Sequence, residues 1–170
     1  MKRIAKFEKV SFDQFKKDME KIFNTYYKDE YLMEIYNNIE LPKRSTSGSA
    51  GYDFKSPLTV CIKKGEPMVI PTGIRVRIDA GWVLNLYPRS GMGFKHGLYL
   101  CNTVGIIDSD YYSSDNEGHI LAKVDYSYGD NILDITRGDK FMQGVFTEYG
   151  ITEDDAITTT RNGGFGSTGK

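Results

Sequence analysis

The sequence predicts an all-β protein, a jelly-roll-like barrel or sandwich, with a helical segment near its N-terminus. Three observations carry that reading. From Ala50 onward, short apolar runs alternate with turn clusters such as Lys64-Gly65-Glu66-Pro67, Pro71-Thr72-Gly73 and Asp79-Ala80-Gly81. Within one run Ile74, Val76 and Ile78 alternate with Arg75 and Arg77, the period of a strand with one buried face. Between residues 11 and 37, by contrast, apolar positions recur every three or four residues. A chain of 170 residues with 39% hydrophobic content suits a single domain, 1–170, around one core.

Taken in order, Arg3 to Val10 read as a first short strand. Ser11 has the character of a helix N-cap, and Gln14 stands where a capping box would reach back. Phe15, Met19, Ile22, Phe23 and Tyr26 form an apolar stripe, and Lys16, Lys17, Glu20 and Lys21 take the other face. A second helix is expected from Asp29 to Asn37, with Leu32, Ile35 and Tyr36 on its apolar side. Leu41-Pro42 ends the helical region, and residues 43–49 read as a polar loop. Strands follow at Val60–Ile62, Met68–Ile70, Gly73–Ile78, Trp82–Leu86, Leu98–Cys101, Ile120–Tyr126, Ile132–Ile135 and Phe141–Phe146. The run 161–170, four glycines around Phe165, lacks core periodicity and is expected to be a mobile arm when nothing is bound. Its backbone donors suit a phosphate, although composition alone also fits a plain disordered terminus.

A net charge of −1 offers no basic field for nucleic acid. No segment has the length and apolarity to span a bilayer, and no apolar leader opens the chain, so a cytoplasmic location is expected. Cys61 and Cys101 sit in apolar runs and are expected to be reduced, buried thiols; neither has the spacing of a zinc site. Twelve tyrosines and nine phenylalanines are enough to supply subunit contacts as well as a core.

Two stretches offer chemistry. Pro88-Arg89-Ser90-Gly91 follows an apolar run and combines a guanidinium, a hydroxyl and an unhindered backbone, which suits an anion; a solvated surface turn has the same look. In Gly105-Ile106-Ile107-Asp108-Ser109-Asp110-Tyr111, the two aspartates would share one face of an extended chain, beside an aromatic ring. Such a pair suits a divalent ion, a water or a turn cap. Asp53, at a turn-to-strand boundary, is a further carboxylate, and Gln143 is an amide inside an apolar run that needs a partner if buried.

These stretches belong to a wider pattern. The chain resembles the homotrimeric dUTP diphosphatases (dUTPases), whose jelly-roll subunits carry five short motifs; bacterial and phage members both fit. All five occur in order: Ala50-Gly51-Tyr52-Asp53; Pro88-Arg89-Ser90-Gly91; Gly105 to Tyr111; Gly138-Asp139-Lys140-Phe141-Met142-Gln143; and Arg161 with Gly163-Gly164-Phe165-Gly166-Ser167-Thr168-Gly169. The resemblance covers about residues 50–170 and the first strand. It implies magnesium-assisted hydrolysis of dUTP to dUMP and pyrophosphate, at sites shared within a homotrimer.

Carried over residue by residue, the resemblance makes Asp108 the general base for the attacking water. Tyr111 becomes the wall that excludes a 2′-hydroxyl. Asn102, with backbone groups of its hairpin that include Gly105 and Ile107, would read uracil and leave no room for a 5-methyl group. Ser90, Gly91 and Gln143 match phosphate contacts, with Arg89 as a structural and electrostatic member. Asp53 matches the carboxylate that organises Mg²⁺ through water. Arg161, Gly166, Ser167 and Thr168 would close over the phosphates, with Phe165 stacked on uracil.

The chain departs from the family pattern in four places. Residues 112–119 replace a shorter turn, the last motif is one residue shorter after Arg161, Met142 stands where a small residue is usual, and the helical segment 11–37 is an addition. That segment suits a lid, a trimer-side decoration, a docking surface for another protein or a passive cover. Two other functions share the scaffold: a dCTP deaminase-like enzyme, which needs a further glutamate that has no clear place here, and a regulatory protein-binding homologue.

Overall fold

The computed structural model describes residues 1–159. Its elements are β1 (Ala5–Lys9), α1 (Phe12–Phe23), α2 (Asp29–Asn37), β2 (Lys43–Arg44), β3 (Tyr52–Lys55), β4 (Val60–Lys63), β5 (Met68–Pro71), β6 (Ile74–Ile78), β7 (Trp82–Pro88) and α3 (Ser90–His96). There follow β8 (Leu98–Leu100), β9 (Gly105–Ile107), a 3-10 turn (Ser109–Ser113), β10 (Leu121–Tyr126), β11 (Ile132–Ile135) and β12 (Lys140–Glu148). Among the described residues the strands pair antiparallel as β2-β3-β12-β7-β9, β5-β10-β8, β1-β6 and β11-β4. The expected jelly-roll-like arrangement is therefore built of several sheets without a closed barrel. Phe54, Leu84, Phe141 and Met142 from the largest sheet meet Ile70, Ile120 and Val124 in one core. Among the described residues no helix is long and apolar enough to cross a membrane.

The two helices lie where their periodicity places them. Ser11 caps α1, its Oγ accepting the Gln14 backbone N–H at 3.1 Å. The return half of the capping box comes from elsewhere. Gln14 is buried and donates to Asp18 Oδ2 (2.8 Å), while Glu117, 106 residues on, accepts from the Ser11 N–H (2.7 Å) and Oγ (2.6 Å). Helix α1 stops at Asn24, whose left-handed backbone (φ 46°) suits an asparagine. That stop breaks the apolar stripe. Phe15 and Met19 are buried as expected, but Tyr26 falls beyond the helix, 78% exposed, with Lys16 Nζ 5.4 Å from its ring centroid.

Other expectations are corrected. Residues 43–44, read as loop, add an edge strand through Lys43↔Asp53 and Arg44↔Tyr52. Residues 90–96 form a short helix that Gly91 and Gly93 obscured; it closes at Gly97, whose positive φ (64°) and close approach to Tyr128 exclude a side chain. The chain leaves extended geometry immediately after Asp108 and enters the 3-10 turn, so Asp108 and Asp110 do not share a strand face. Cys61 and Cys101 are free but exposed. On β4 it is Val60 and Ile62 that point inward, which leaves Cys61 outside, and Cys101 lies one residue past the end of β8.

Phe15 is fully buried and packs beside Gly73, Tyr36 and His119, so it anchors α1 to the strands. Phe15→Ala is expected to lower unfolding free energy by about 3–5 kcal/mol in urea titration. A loss under about 1 kcal/mol would mean that α1 rests on the sheets without being part of their core.

Candidate active site

One end of the site is built by the largest sheet. On neighbouring strands Asp53 pairs with Gln143, which pairs with Tyr87. Pro88 ends β7, and Arg89, whose N–H donates to Phe141 O at 3.0 Å, turns the chain into α3. The Asp53 side chain is buried and engaged on both oxygens. Arg89 Nη1 lies 2.9 Å from Oδ1; Lys140 Nζ (2.8 Å) and Ser45 Oγ (2.6 Å) donate to Oδ2. Burial pushes this carboxyl up. The hydrogen bonds from Lys140 and Ser45 and the Arg89 charge outweigh it, so the group sits below the usual carboxylate range. Arg89 is thereby fixed through one nitrogen, and a guanidinium has further N–H donors for an anion.

Ser90 is exposed, and space beside Gly91 is open enough that an added Cβ would meet nothing within 4 Å. Gln143 is half-buried and donates to Pro88 O at 3.4 Å, which supplies the partner its position requires. A Cβ at Gly51 would come within 2.5 Å of Gln143 Oε1, so the glycine of the first motif leaves room for the glutamine of the fourth.

The second end is the hairpin between β8 and β9. Leu100 and Thr103 bridge across a tight turn, with Thr103 N–H to Leu100 O at 2.8 Å and Val104 N–H to Asn102 O at 2.7 Å. Thr103 has φ 68°, an expensive conformation for a β-branched residue and one that closely determines the tip where Asn102 is exposed. Gly105 packs against Leu86, where a Cβ would lie 3.0 Å from the Leu86 Cβ, and Ile107 is buried opposite Leu84. Asp108 is half-buried and leads into the 3-10 turn, its carbonyl accepting from Tyr111 N–H at 3.2 Å. Tyr111 is buried; its hydroxyl donates to His119 O (2.8 Å) and accepts from Asn116 Nδ2 (2.8 Å).

The structure brings together Arg89, Ser90, Gly91, Gln143 and Asp53, and sets Asn102, Gly105, Ile107, Asp108 and Tyr111 in sequence along the β8–β9 hairpin, β9 and the 3-10 turn. Within one chain it does not bring Asp108 and Tyr111 to Arg89. Ile107 pairs with Leu84, so Asp108 comes level with Val83 near the start of β7, while Arg89 leaves its other end. Six residues of strand at 3.3 Å each put them roughly 20 Å apart. Arg161, Phe165, Gly166, Ser167 and Thr168 lie outside the described residues. Sequence alone does not single out Lys140 and Ser45, which complete the shell of Asp53, or His119: Lys140 lies inside the fourth motif next to inward-facing Phe141, and Ser45 and His119 carry no signal in linear spacing.

Among the described residues no cluster of three or more His, Cys, Asp or Glu side chains forms a metal cage. Asp53, the carboxylate assigned to the ion, is already held by two cations. This donor set fits a magnesium ion that arrives on phosphate oxygens and keeps its water, with Asp53 at most an outer partner.

The fold is an antiparallel β framework that sets Arg89 and Ser90 after β7, and Asp108 and Tyr111 after β9. A family profile, dUTPase, matches residues 37–169. The chain is 44% identical over 134 residues to a protein of Lactococcus lactis subsp. lactis (strain IL1403) named deoxyuridine 5′-triphosphate nucleotidohydrolase, covering 77% of this chain and 89% of the other. The dUTPase of Streptococcus mutans is a structural neighbour, with TM-score 0.65, 34% identity and coverage of 86% and 98%. The phage phi11 dUTPase shares the fold (TM-score 0.63, 21% identity, coverage 92% and 97%). The chain belongs to the dUTPase family.

The Asp53 cluster has a defined pH signature. A carboxyl lowered by its native partners contributes stability that is present above its unfolded pKa, about 3.9, and lost as pH falls through the folded value. Asp53→Asn is expected to destabilise the protein clearly at pH 7, where Arg89 and Lys140 lose their counter-charge. The gap from wild type should narrow as pH drops below about 4. Urea midpoints at pH 7 and pH 3 check this; a gap independent of pH would remove the carboxylate charge from the account.

Proposed function

We propose that this protein hydrolyses dUTP to dUMP and pyrophosphate, at active sites shared between copies of a homotrimer. The observation that carries the reading is the division of the site. Arg89, with its braced cluster, and Asp108, with the buried Tyr111, are each well formed, yet they stand at opposite ends of β7, so a substrate touching both lies between two subunits.

In this reading the hairpin around Asn102 takes uracil. Its tight turn, held by strained Thr103, leaves no room for a thymine methyl, and pairing with the base edge rejects cytosine, since a mismatched buried polar group discriminates strongly. The buried ring of Tyr111 meets the deoxyribose and excludes a 2′-hydroxyl. Asp108 accepts a proton from a water whose oxygen attacks the α-phosphorus. The bond from that phosphorus to the α,β-bridging oxygen breaks, its electrons leave with pyrophosphate, and the new P–O bond completes dUMP.

Arg89, Ser90 and Gln143, from the other subunit, hold the phosphates. Because Asp53, itself held by Lys140 and Ser45, already braces Arg89, that charge need not reorganise as negative charge moves toward the leaving group. Magnesium bound to the triphosphate supplies charge neutralisation, with Asp53 as the carboxylate that would face its water shell.

Asp108→Asn should leave KM for dUTP nearly unchanged and reduce kcat by about 10²–10⁴-fold in a pyrophosphate-release assay. An unchanged kcat would remove Asp108 from the proton transfer, and ammonia release from dCTP would replace the reaction altogether. Division of the site makes a separate prediction. Asp108→Asn and Gln143→Ala homotrimers should each be nearly inactive. Co-refolded in equal amounts they should recover about a quarter of wild-type activity, by random assortment at a two-subunit site. No recovery would place each whole site within one chain.

A further inference from the structure

The two departures from the family pattern that lie far apart in sequence, the helical segment 11–37 and the longer turn 112–119, meet in the interior. His119, fully buried, is the point of contact. Its Nε2 accepts the Gly73 N–H at 2.8 Å, which makes that nitrogen the unprotonated one; Nδ1 then carries the hydrogen and donates to Asp18 Oδ2 at 2.6 Å. Gln14, one turn before Asp18 on α1, donates to the same oxygen, and the Phe15 ring lies 6.2 Å from the imidazole. A second tie, Glu117 to Ser11, fastens the same turn to the start of α1.

The other side of His119 faces Tyr111. The His119 carbonyl accepts the Tyr111 hydroxyl, and Asn116, whose own carbonyl accepts the His119 N–H at 3.0 Å, donates to that hydroxyl oxygen. The turn is closed so tightly that a Cβ at Gly118, which has φ 70°, would stand 2.7 Å from Tyr111 O. Tyr111 therefore has its hydroxyl end fixed by a loop whose own position is set by helix α1. We propose that Asp18, acting through His119, is a positioning residue for Tyr111. The helical segment is then a working part of the nucleoside site, setting how strictly the enzyme distinguishes deoxyribose from ribose.

The proposal rests on the assignment of Tyr111 as the sugar wall, and the experiment separates the two. The readout is the ratio of kcat/KM for dUTP to that for UTP, measured on the assembled protein. Tyr111→Leu should lower it strongly. Asp18→Ala should lower it by about tenfold, chiefly by improving UTP as a substrate, since a steric fit relaxed by roughly a methylene is worth about that much. Asp18→Asn keeps an oxygen for the His119 N–H and should restore most of the ratio. Leu32→Ala, buried in α2 and outside this hydrogen-bonded chain, serves as the control for general destabilisation and should leave the ratio at the wild-type value. Where Asp18→Ala does not fold, Gln14→Ala, which removes only the second donor to Asp18, should shift the ratio in the same direction to a smaller extent.

A Tyr111→Leu ratio equal to wild type overturns the sugar-wall assignment and this proposal with it. A shift in Tyr111→Leu with none in the folded Asp18 or Gln14 variant overturns the proposal alone, as does an equal shift in Leu32→Ala.

Discussion

One buried imidazole ties helix α1 to the strands by hydrogen bonds, beside the apolar anchor of Phe15. His119 spends one nitrogen on the Gly73 backbone and the other on Asp18, so neither can be removed without leaving a buried polar group unpaired. Such a group costs about 1–3 kcal/mol, more than most exposed ion pairs contribute. Asp18 is itself buried on the apolar side of α1. Burial pushes its carboxyl up, but the hydrogen bonds from His119 and Gln14 prevail and hold it below the usual range. A negative charge is thus kept inside by hydrogen-bond donors aimed at it. It needs no lysine or arginine as a direct partner in this arrangement.

The anion end uses the opposite strategy. Asp53 is buried under two cations, and its job in the fold is to hold them. The Arg89 and Lys140 side chains stay partly exposed while the Asp53 carboxylate beneath them is covered, so the cations of the cluster meet solvent and the anion does not. A guanidinium braced in this way can meet a phosphate without first giving up freedom of its own side chain, which is where electrostatic preorganisation gains over a flexible surface arginine. Close approach of Gly51 to Gln143 belongs to the same economy of space: the motif residues distant in sequence are mutually required neighbours.

Much of this was legible in the sequence because periodicity records burial. The alternation of Ile74, Val76 and Ile78, the stripe from Phe15 to Met19 and the helix at Asp29–Asn37 each reappear with their buried faces inward. Where periodicity was short, it misled. Cys61 occupies an outward position in a four-residue strand too brief to show its phase, and Tyr26 continues a helical spacing past the left-handed stop at Asn24. Ser90 to His96 contains two glycines and little apolar pattern, so its helix was invisible. The aspartates 108 and 110 were paired on the assumption of an extended chain, which the 3-10 turn ends. His119 and Ser45 were illegible for another reason. Their partners lie 101 and 8 residues away, and polar contacts made by tertiary folding leave no repeat behind them.

The two ends of the candidate site therefore answer to different parts of the chain. The anion end depends on β2, β3 and β12, through Ser45, Asp53 and Lys140. The nucleoside end depends on β9, on the long turn and, through His119, on α1. If the ends meet across a subunit boundary, the helical segment of one copy bears on the sugar and base of a nucleotide whose phosphates lie on its neighbour. A disturbance of α1 would then alter which nucleoside is accepted while leaving the phosphate contacts intact. Loss of the Asp53 cluster would weaken the hold on every triphosphate alike. In the proposed reading, choice of nucleoside and grip on phosphate rest on different contacts, so a change in residues 11–37 reaches the first through His119 and leaves the Asp53 cluster untouched.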